Sequence, residues 1–475
     1  MYSPKVSGPS PAAESGPKTY SVGTLTYTLP GLAFLMGWLL WGDFCFTLME
    51  AVFPAVLPVK LKQLEAPSWV IALIVTGIPG LLNATVCPVV SFLSDRHRSP
   101  MGRRIPFIVF TIPFLCAFLI LLGFAGPIAT FLAKHGIVSD ARFAALIMCG
   151  VFTVGFQFFN MFVASVYYYL FNDVVPHEFL GRFLAAFRVV GTLSSSLFSF
   201  FIFPHAETHF TAIFTGAAVL YGVVFYLMCR YVKEGEYPPP PVIVSQSRSH
   251  VLDGIKTFFV ESFSQRFYWL FYAWVAFSAA GGTIMVFQVF FAQSVGLSLF
   301  QLGQFLGTLG IVIAVLLFPC GVLSDWYHPV RTMRIAATVL PFFSILPIVF
   351  VLTPVPPEWA FLVWCVAYGA TAPVTAIYFA SELPTYMHIL PKERYGQFSS
   401  SNAVVRSLAV MAGGVLGGGF LDVMKTLYPN PDDAYRFIPL WLAGFQVLSA
   451  VAFWLLYREW KKRGGRDGYT PPAVY

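Results

Sequence analysis

The sequence predicts an all-α membrane protein whose twelve transmembrane helices form two pseudo-symmetric six-helix bundles. Three observations lead there. Of the 475 residues, 57% are hydrophobic and only 11% charged, against about 25% charged in a typical soluble domain, and the mean hydropathy is +0.72. Residues 107–130, 305–323 and 360–381 carry no charge at all, and each matches the roughly 20 residues that cross a bilayer. Finally, 21 of the 29 Lys and Arg residues fall in segments on the side of the two termini, which by the positive-inside rule makes that side cytoplasmic.

Residues 1–30 are polar, rich in Ser, Pro and Gly, without the apolar stretch of a cleaved signal peptide. A disordered cytoplasmic tail is expected. Apolar segments then predict helices at 31–58, 68–93, 104–126, 143–171, 182–204 and 209–231, and again at 266–293, 301–323, 334–353, 358–382, 397–423 and 436–457. Between the two sets lies 232–265, a cytoplasmic linker containing the run Pro238–Pro241, an extended polyproline-like spacer. The chain therefore divides into an N-terminal bundle (31–231), the linker, a C-terminal bundle (266–457) and a short cytoplasmic tail (458–475). Six Lys or Arg lie in the opposite loops and two inside spans.

The seven cysteines lie in apolar runs without metal-ligand or disulfide spacing. The eight histidines are scattered. No phosphate-binding G-x-x-x-x-G-K-[ST] loop occurs, so ATP-driven transport has no nucleotide site here. A membrane enzyme would need paired polar motifs at one face, and none is seen. No cofactor, metal or nucleic-acid partner is expected; the partners expected are the lipid bilayer and a small molecule.

The halves echo each other. Ser94-Asp95-Arg96 closes the second span and opens a loop with Arg98, Arg103 and Arg104; Ser324-Asp325 closes the eighth and opens one with Arg331 and Arg334. The fourth span ends in Asp173-Val-Val-Pro176 and the tenth in Glu382-Leu-Pro384. Parallel repeats of this kind bind solute near the bilayer midplane and rock around it.

Residues 77–108, ending SFLSDRHRSPMGRRIPFI, resemble the signature between the second and third helices of the major facilitator superfamily. The spacing of Asp95-Arg96 from Gly102-Arg103-Arg104, followed by Pro106-Phe107, and the Gly181-Arg182 pair after Asp173-Val-Val-Pro176 are similar to the glycoside–pentoside–hexuronide:cation symporters, especially the sucrose-transporter branch. Two departures stand out. Ser91 replaces the usual Gly of the loop, and Asn160 lies about where sucrose transporters carry an Asp implicated in proton coupling. The resemblance implies a monomeric, proton-coupled symporter of a sugar or glycoside, such as sucrose or maltose, in a plasma or inner membrane. Export of another small organic solute by the same fold, or a non-transporting nutrient sensor, are the alternative expectations.

Ionisable groups within the bilayer cost at least roughly 2.5–3.5 kcal/mol each, so each needs a reason. Asp43 and Glu50, seven residues apart on one helical face, with Arg188 on the fifth span, are the candidate proton-coupling set. The bland alternative is a static ion pair tying helices together. On the helices expected to line a cavity, Gln157, Asn160, Trp274, Gln288, Tyr368, Thr371, Thr375 and Arg406 are candidate substrate-binding residues, although each alone is commonly an interhelical contact. Pro373 is expected to kink the tenth helix. The resemblance implies an inner gate made of Asp95, Arg96, Arg98, Gly102, Arg103, Arg104 and Asp173, with Glu178 facing them, and of its mirror set Asp325, Arg331 and Glu382.

Overall fold

The computed structural model describes residues 19–237 and 260–472. The first 18 residues of the expected tail and most of the linker, including the proline run, lie outside them. All twelve expected spans form, generally longer than hydropathy marks them. We label them α1 (Leu29–Gln63), α2 (Ser68–Arg96), α3 (Ile105–Lys134), α4 (Ala141–Val174), α5 (His177–His205), α6 (Phe210–Tyr231), α7 (Arg266–Ser294), α8 (Leu299–Tyr327), α9 (Pro329–Leu352), α10 (Pro357–Ile389), α11 (Tyr395–Leu427) and α12 (Pro431–Lys462). The even number of spans returns the chain to one side, here called the terminus face; the other is the far face.

Segment 19–28 corrects the expectation of disorder. Strands β1 (Thr19–Val22) and β2 (Leu25–Thr28) pair antiparallel, Thr19 opposite Thr28 and Val22 opposite Leu25. The alternating Thr/Tyr/Leu pattern suits a half-buried ribbon, and the Tyr20 ring packs edge-on against Phe179 at 4.9 Å. α1 begins at once. Thr28 Oγ1 accepts from the Gly31 amide at 3.4 Å, and Pro30 fits the first turn, where its missing N–H costs nothing.

At 1.5 Å per residue, α1 is about 52 Å long. Its 35 residues overrun the apolar core of a bilayer, about 30 Å, so the last turn, with Lys60 and Lys62, stands beyond the apolar stretch. Several spans are interrupted. α2 and α5 contain π-helical turns at Leu73–Gly77 and Phe198–Ile202, α7 a 3-10 segment at Thr283–Phe287. α10 breaks between Gly369 and Ala372, just before Pro373, at the expected kink.

Packing separates two kinds of apolar surface. Side chains such as Phe156, Tyr167, Tyr221, Trp274 and Trp364 are fully buried between helices. Others, such as Phe318 at 81% and Leu352 at 76% exposure, are left uncovered by the neighbouring helices. The C-terminal residues return onto the second bundle, where Tyr469 Oη donates to the Ile389 carbonyl at 2.8 Å.

Candidate functional site

The expected inner-gate residues of the first bundle converge. Arg104 is 4% exposed; it donates to Asp95 Oδ1 at 2.5 Å, to Asp173 Oδ2 at 3.3 Å and to Ser94 Oγ. Arg103 grips Asp173 with two prongs, Nε to Oδ2 at 3.0 Å and an Nη to Oδ1 at 2.5 Å. This bidentate geometry is what a planar guanidinium provides and an ammonium cannot. Arg98 donates to the Asp95 and His97 carbonyls, both at 2.8 Å, and Arg96 lies over the Phe92 ring at 3.7 Å.

The centre of this cluster is a residue the sequence did not single out. Glu234, at the start of the linker, accepts from three successive amides: Arg103 (3.0 Å), Arg104 (2.8 Å) and Ile105 (2.6 Å). These are orphan donors at the start of α3, so Glu234 caps a helix some 130 residues away. Gly102 allows it: its φ is +102°, and a Cβ there would lie 2.5 Å from Glu234 side-chain atoms. Tyr237 completes the clamp, its hydroxyl donating to Glu234 at 2.9 Å and its ring 4.3 Å from the Arg103 guanidinium. Burial, then the neighbouring Glu234 carboxylate, raise the Tyr237 phenol well above its ordinary range, so it remains a donor. Glu236 N–H donates to Thr24 Oγ1 at 2.8 Å, tying the linker to the β1–β2 hairpin.

The mirror set does not converge. Among the described residues no ion pair joins Asp325, Arg331 and Glu382. Asp325 is exposed, Ser324 and Ser381 meet hydroxyl to hydroxyl at 3.2 Å, and Glu382 accepts from Tyr386 at 2.7 Å. The reason is loop length. Residues 97–104 separate α2 from α3, whereas only His328 separates α8 from α9, so no loop carries an arginine back to α10.

Between the bundles lies a cavity of about 530 Å³. From the first bundle it receives Thr47, Glu50, Tyr168, Arg188, Thr192, Ser195 and Ser199; from the second, Leu306, Ile313, Ala314, Leu317 and Phe379. One wall is thus charged and hydroxylated, the other apolar. Asn160, fully buried, donates to Glu50 Oε1 at 2.8 Å. Asp43 does not line the cavity. It is fully buried, one oxygen accepting from Thr47 at 3.3 Å and the other without a partner, close against Gly191. Among the described residues no ion pair joins Asp43 and Arg188, so the static-pair alternative is not what is seen; the guanidinium lines the cavity and acts on Asp43 through its field. Glu50 lies near the middle of its span, because α1 extends to Gln63.

The other expected substrate residues scatter. Gln157 is buried in α4. Trp274 is fully buried in an aromatic cluster with Phe453 at 4.7 Å and Tyr386 at 5.6 Å. Tyr368 packs on Trp364 at 4.6 Å, and the Thr371 hydroxyl donates to the Tyr368 carbonyl at 2.6 Å. Thr375 lies a turn further along α10. Gln288 lines a separate cavity of about 340 Å³ toward the far face, and Arg406 is exposed on α11 within electrostatic reach of Tyr378 and Tyr386. Hydropathy gave no reason to select Thr192, Ser195 and Ser199, yet their spacing of three, four and seven places them on one helical face. That signal was available.

Among the described residues, hydrogen bonds and ion pairs join the bundles at mid-depth, as in Asn83–Ser407 and Ser196–Gly307, and at the far face, as in Lys62–Asp432. The same overall arrangement occurs in solved transporters. A bacterial homolog of the human lysosomal transporter Spinster, in an inward-facing and unoccupied conformation, is 16% identical, with 94% of this chain and 100% of that one covered and a TM-score of 0.65. The nucleoside transporter NupG is 13% identical over 89% of this chain and 99% of its own, TM-score 0.58. The POT family transporter PepTSo is 12% identical over 92% and 99%, TM-score 0.56. No curated protein sequence matches the chain. Twelve spans in two bundles thus give this chain the major facilitator fold, and its residues 199–414 match the sequence model of the Major Facilitator Superfamily.

Proposed function

We propose that the chain is a secondary active transporter that carries a sugar or glycoside, such as sucrose or maltose, together with a proton by alternating access, with both termini cytoplasmic. The observation that carries this reading is the chemistry of the central cavity. Its volume, about 530 Å³, suits a ligand the size of a disaccharide. Arg188 offers five N–H donors, and Glu50, Tyr168, Thr192, Ser195 and Ser199 offer acceptors at several positions along one wall. A hydroxyl-rich neutral solute can satisfy such a wall, since every sugar hydroxyl both donates and accepts.

Proton coupling falls to Glu50 in this reading, with Asp43 behind it. Glu50 faces the cavity, where water and solute reach it, and hydrogen-bonds a neutral amide rather than a cation. A carboxylate so placed can take a proton from one face and release it to the other. Asp43, enclosed beside Thr47 and Gly191, sets the field around Arg188.

The test is uptake of labelled sucrose and maltose into proteoliposomes with an imposed pH gradient. The wild type is expected to accumulate sugar only with the gradient. Glu50→Gln is expected to keep sugar exchange and lose gradient-driven accumulation, whereas Asp43→Asn weakens both. Sugar uptake indifferent to the gradient would remove the coupling assignment; uptake of no glycoside would remove the substrate class. The apolar second wall favours one other reading, export of an amphipathic organic solute, and the same vesicles loaded with such compounds discriminate it.

A further inference from the structure

At the far face the bundles meet in contacts that neither the inner-gate residues nor the cavity accounts for. The first amides of α2 point at a carboxylate from the other bundle: Ser68 N–H donates to Asp422 Oδ1 and Trp69 N–H to Oδ2, both at 2.9 Å. Lys425, one turn along α11, holds the same carboxylate at 3.1 Å and donates to Ser68 Oγ at 2.6 Å. A second clasp lies beside it. Lys62 pairs with Asp432 at 2.7 Å, its ammonium 4.8 Å from the Phe290 ring and 4.9 Å from that of Tyr435.

Backbone contact makes the closure tight. A Cβ on Gly418, one turn before Asp422, would lie 2.5 Å from the Ser68 carbonyl oxygen and 2.6 Å from Trp69 Cα. Only the absence of a side chain lets α11 reach the start of α2. Below this contact lies the smaller cavity lined by Thr76, Gln288 and Leu306; Leu306 also lines the central cavity. Leu306 therefore stands between the central cavity and the smaller one toward the far face.

The first amides of a helix have no partner within it, and a carboxylate there is favoured both by hydrogen bonds and by the helix dipole. Here the cap comes from the opposite bundle, so it exists only while the far face is closed. We propose that Asp422 is the far-face latch, a helix cap supplied across the bundle interface, and that parting the bundles breaks it first. Lys62–Asp432 is the weaker clasp: its side chains are 31% and 54% exposed, and exposed pairs contribute little. Asp422 and Lys425 are 24% and 22% exposed, and charge-assisted bonds in such sites are stronger. The proposal is independent of the solute carried.

The experiment measures the far-face separation by electron–electron spin resonance on the full chain in lipid nanodiscs. Nitroxides are attached at Ile137 and Leu352, both highly exposed at the far-face ends of opposite bundles, through a keto amino acid that leaves the seven native cysteines untouched. Asp422→Asn is expected to raise the open-to-closed ratio roughly tenfold, the effect of weakening two charge-assisted bonds. Asp422→Glu is expected to recover part of it, and Lys62→Ala to change it less than Asp422→Asn. Gly418→Ala should open the far face as well, by collision with the Ser68 carbonyl. In the unmutated protein, the Ser68 and Trp69 amides should be protected from hydrogen exchange. Unchanged distances in a folded Asp422→Asn protein, a larger effect of Lys62→Ala than of Asp422→Asn, or unprotected amides in the wild type would each overturn the latch.

Discussion

Removal of the Glu234 carboxylate is the perturbation whose magnitude the structure fixes best. Glu234→Ala leaves three amides at the start of α3 without their acceptor, and Tyr237 without its own. Losing an N-cap costs typically about 1 kcal/mol. Loss of a negative charge at the helix start adds about 0.3–1 kcal/mol, and the charge-assisted character of the bonds raises the total further. Water can replace part of the loss, because Glu234 is only half-buried. A local destabilisation of about 2 kcal/mol follows, roughly a 30-fold change in opening equilibrium. Hydrogen-exchange mass spectrometry of the detergent-solubilised protein reads it directly: peptides over residues 99–108 should exchange roughly 30-fold faster in Glu234→Ala, and less so in Glu234→Gln, which keeps an acceptor. Peptides over the start of α2, capped by Asp422, provide the internal control. Unchanged exchange at 99–108 would refute the cap.

Arg104→Lys is expected to destabilise the folded protein by about 1–3 kcal/mol, since Arg103 still holds Asp173 but a point-charge ammonium cannot reach Ser94, Asp95 and Asp173 together; thermal unfolding followed by thiol-reactive dye on the buried cysteines measures this. Trp274→Ala should cost about 3–5 kcal/mol of stability, while Trp274→Phe should leave exchange of the proposed sugar substrate within twofold of wild type, because Trp274 sits in an aromatic core rather than on a cavity wall. A strong loss of sugar binding in a stable Trp274→Phe protein would return this residue to the substrate site.

Some features of the arginine–carboxylate cluster could be read from spacing and others could not. Asp95 lies in the last turn of α2 and Arg104 ends the eight-residue loop 97–104 that follows, short enough to bring the two close together, and Asp173 closes a span that ends at the same face. Glu234 offered no such signal, because a helix start accepts a carboxylate from any part of the chain that passes by. The same holds for Asp422, which is 354 residues from the amide it caps. Asp325 misled for the opposite reason: the sequence echo was real, but α9 begins two residues after α8 ends, and a repeat without its loop cannot rebuild the network. Segment 19–28 carried alternating Thr, Tyr and Leu, the sign of a ribbon, within a stretch whose polarity suggested disorder.

In the cavity, sequence spacing put Asp43 and Glu50 on one face of one helix. Seven residues are nearly two turns, so the two carboxylates share a face yet lie about 10 Å apart along the axis. Which of them meets water depends on what packs against each level. Gly191 brings α5 close enough to enclose Asp43, while Phe187, Arg188 and Ser195 leave room beside Glu50.

Sequence alone determined the twelve spans, their division into two sixes and the side that gathers positive charge, because a bilayer imposes length and charge placement on each helix separately, whatever its neighbours. Tertiary structure alone decided which carboxylate faces the cavity, which arginines share an acid and where two helix starts find their caps. Those outcomes depend on distances of a few ångströms between segments far apart in the chain, and no local pattern of residues encodes them.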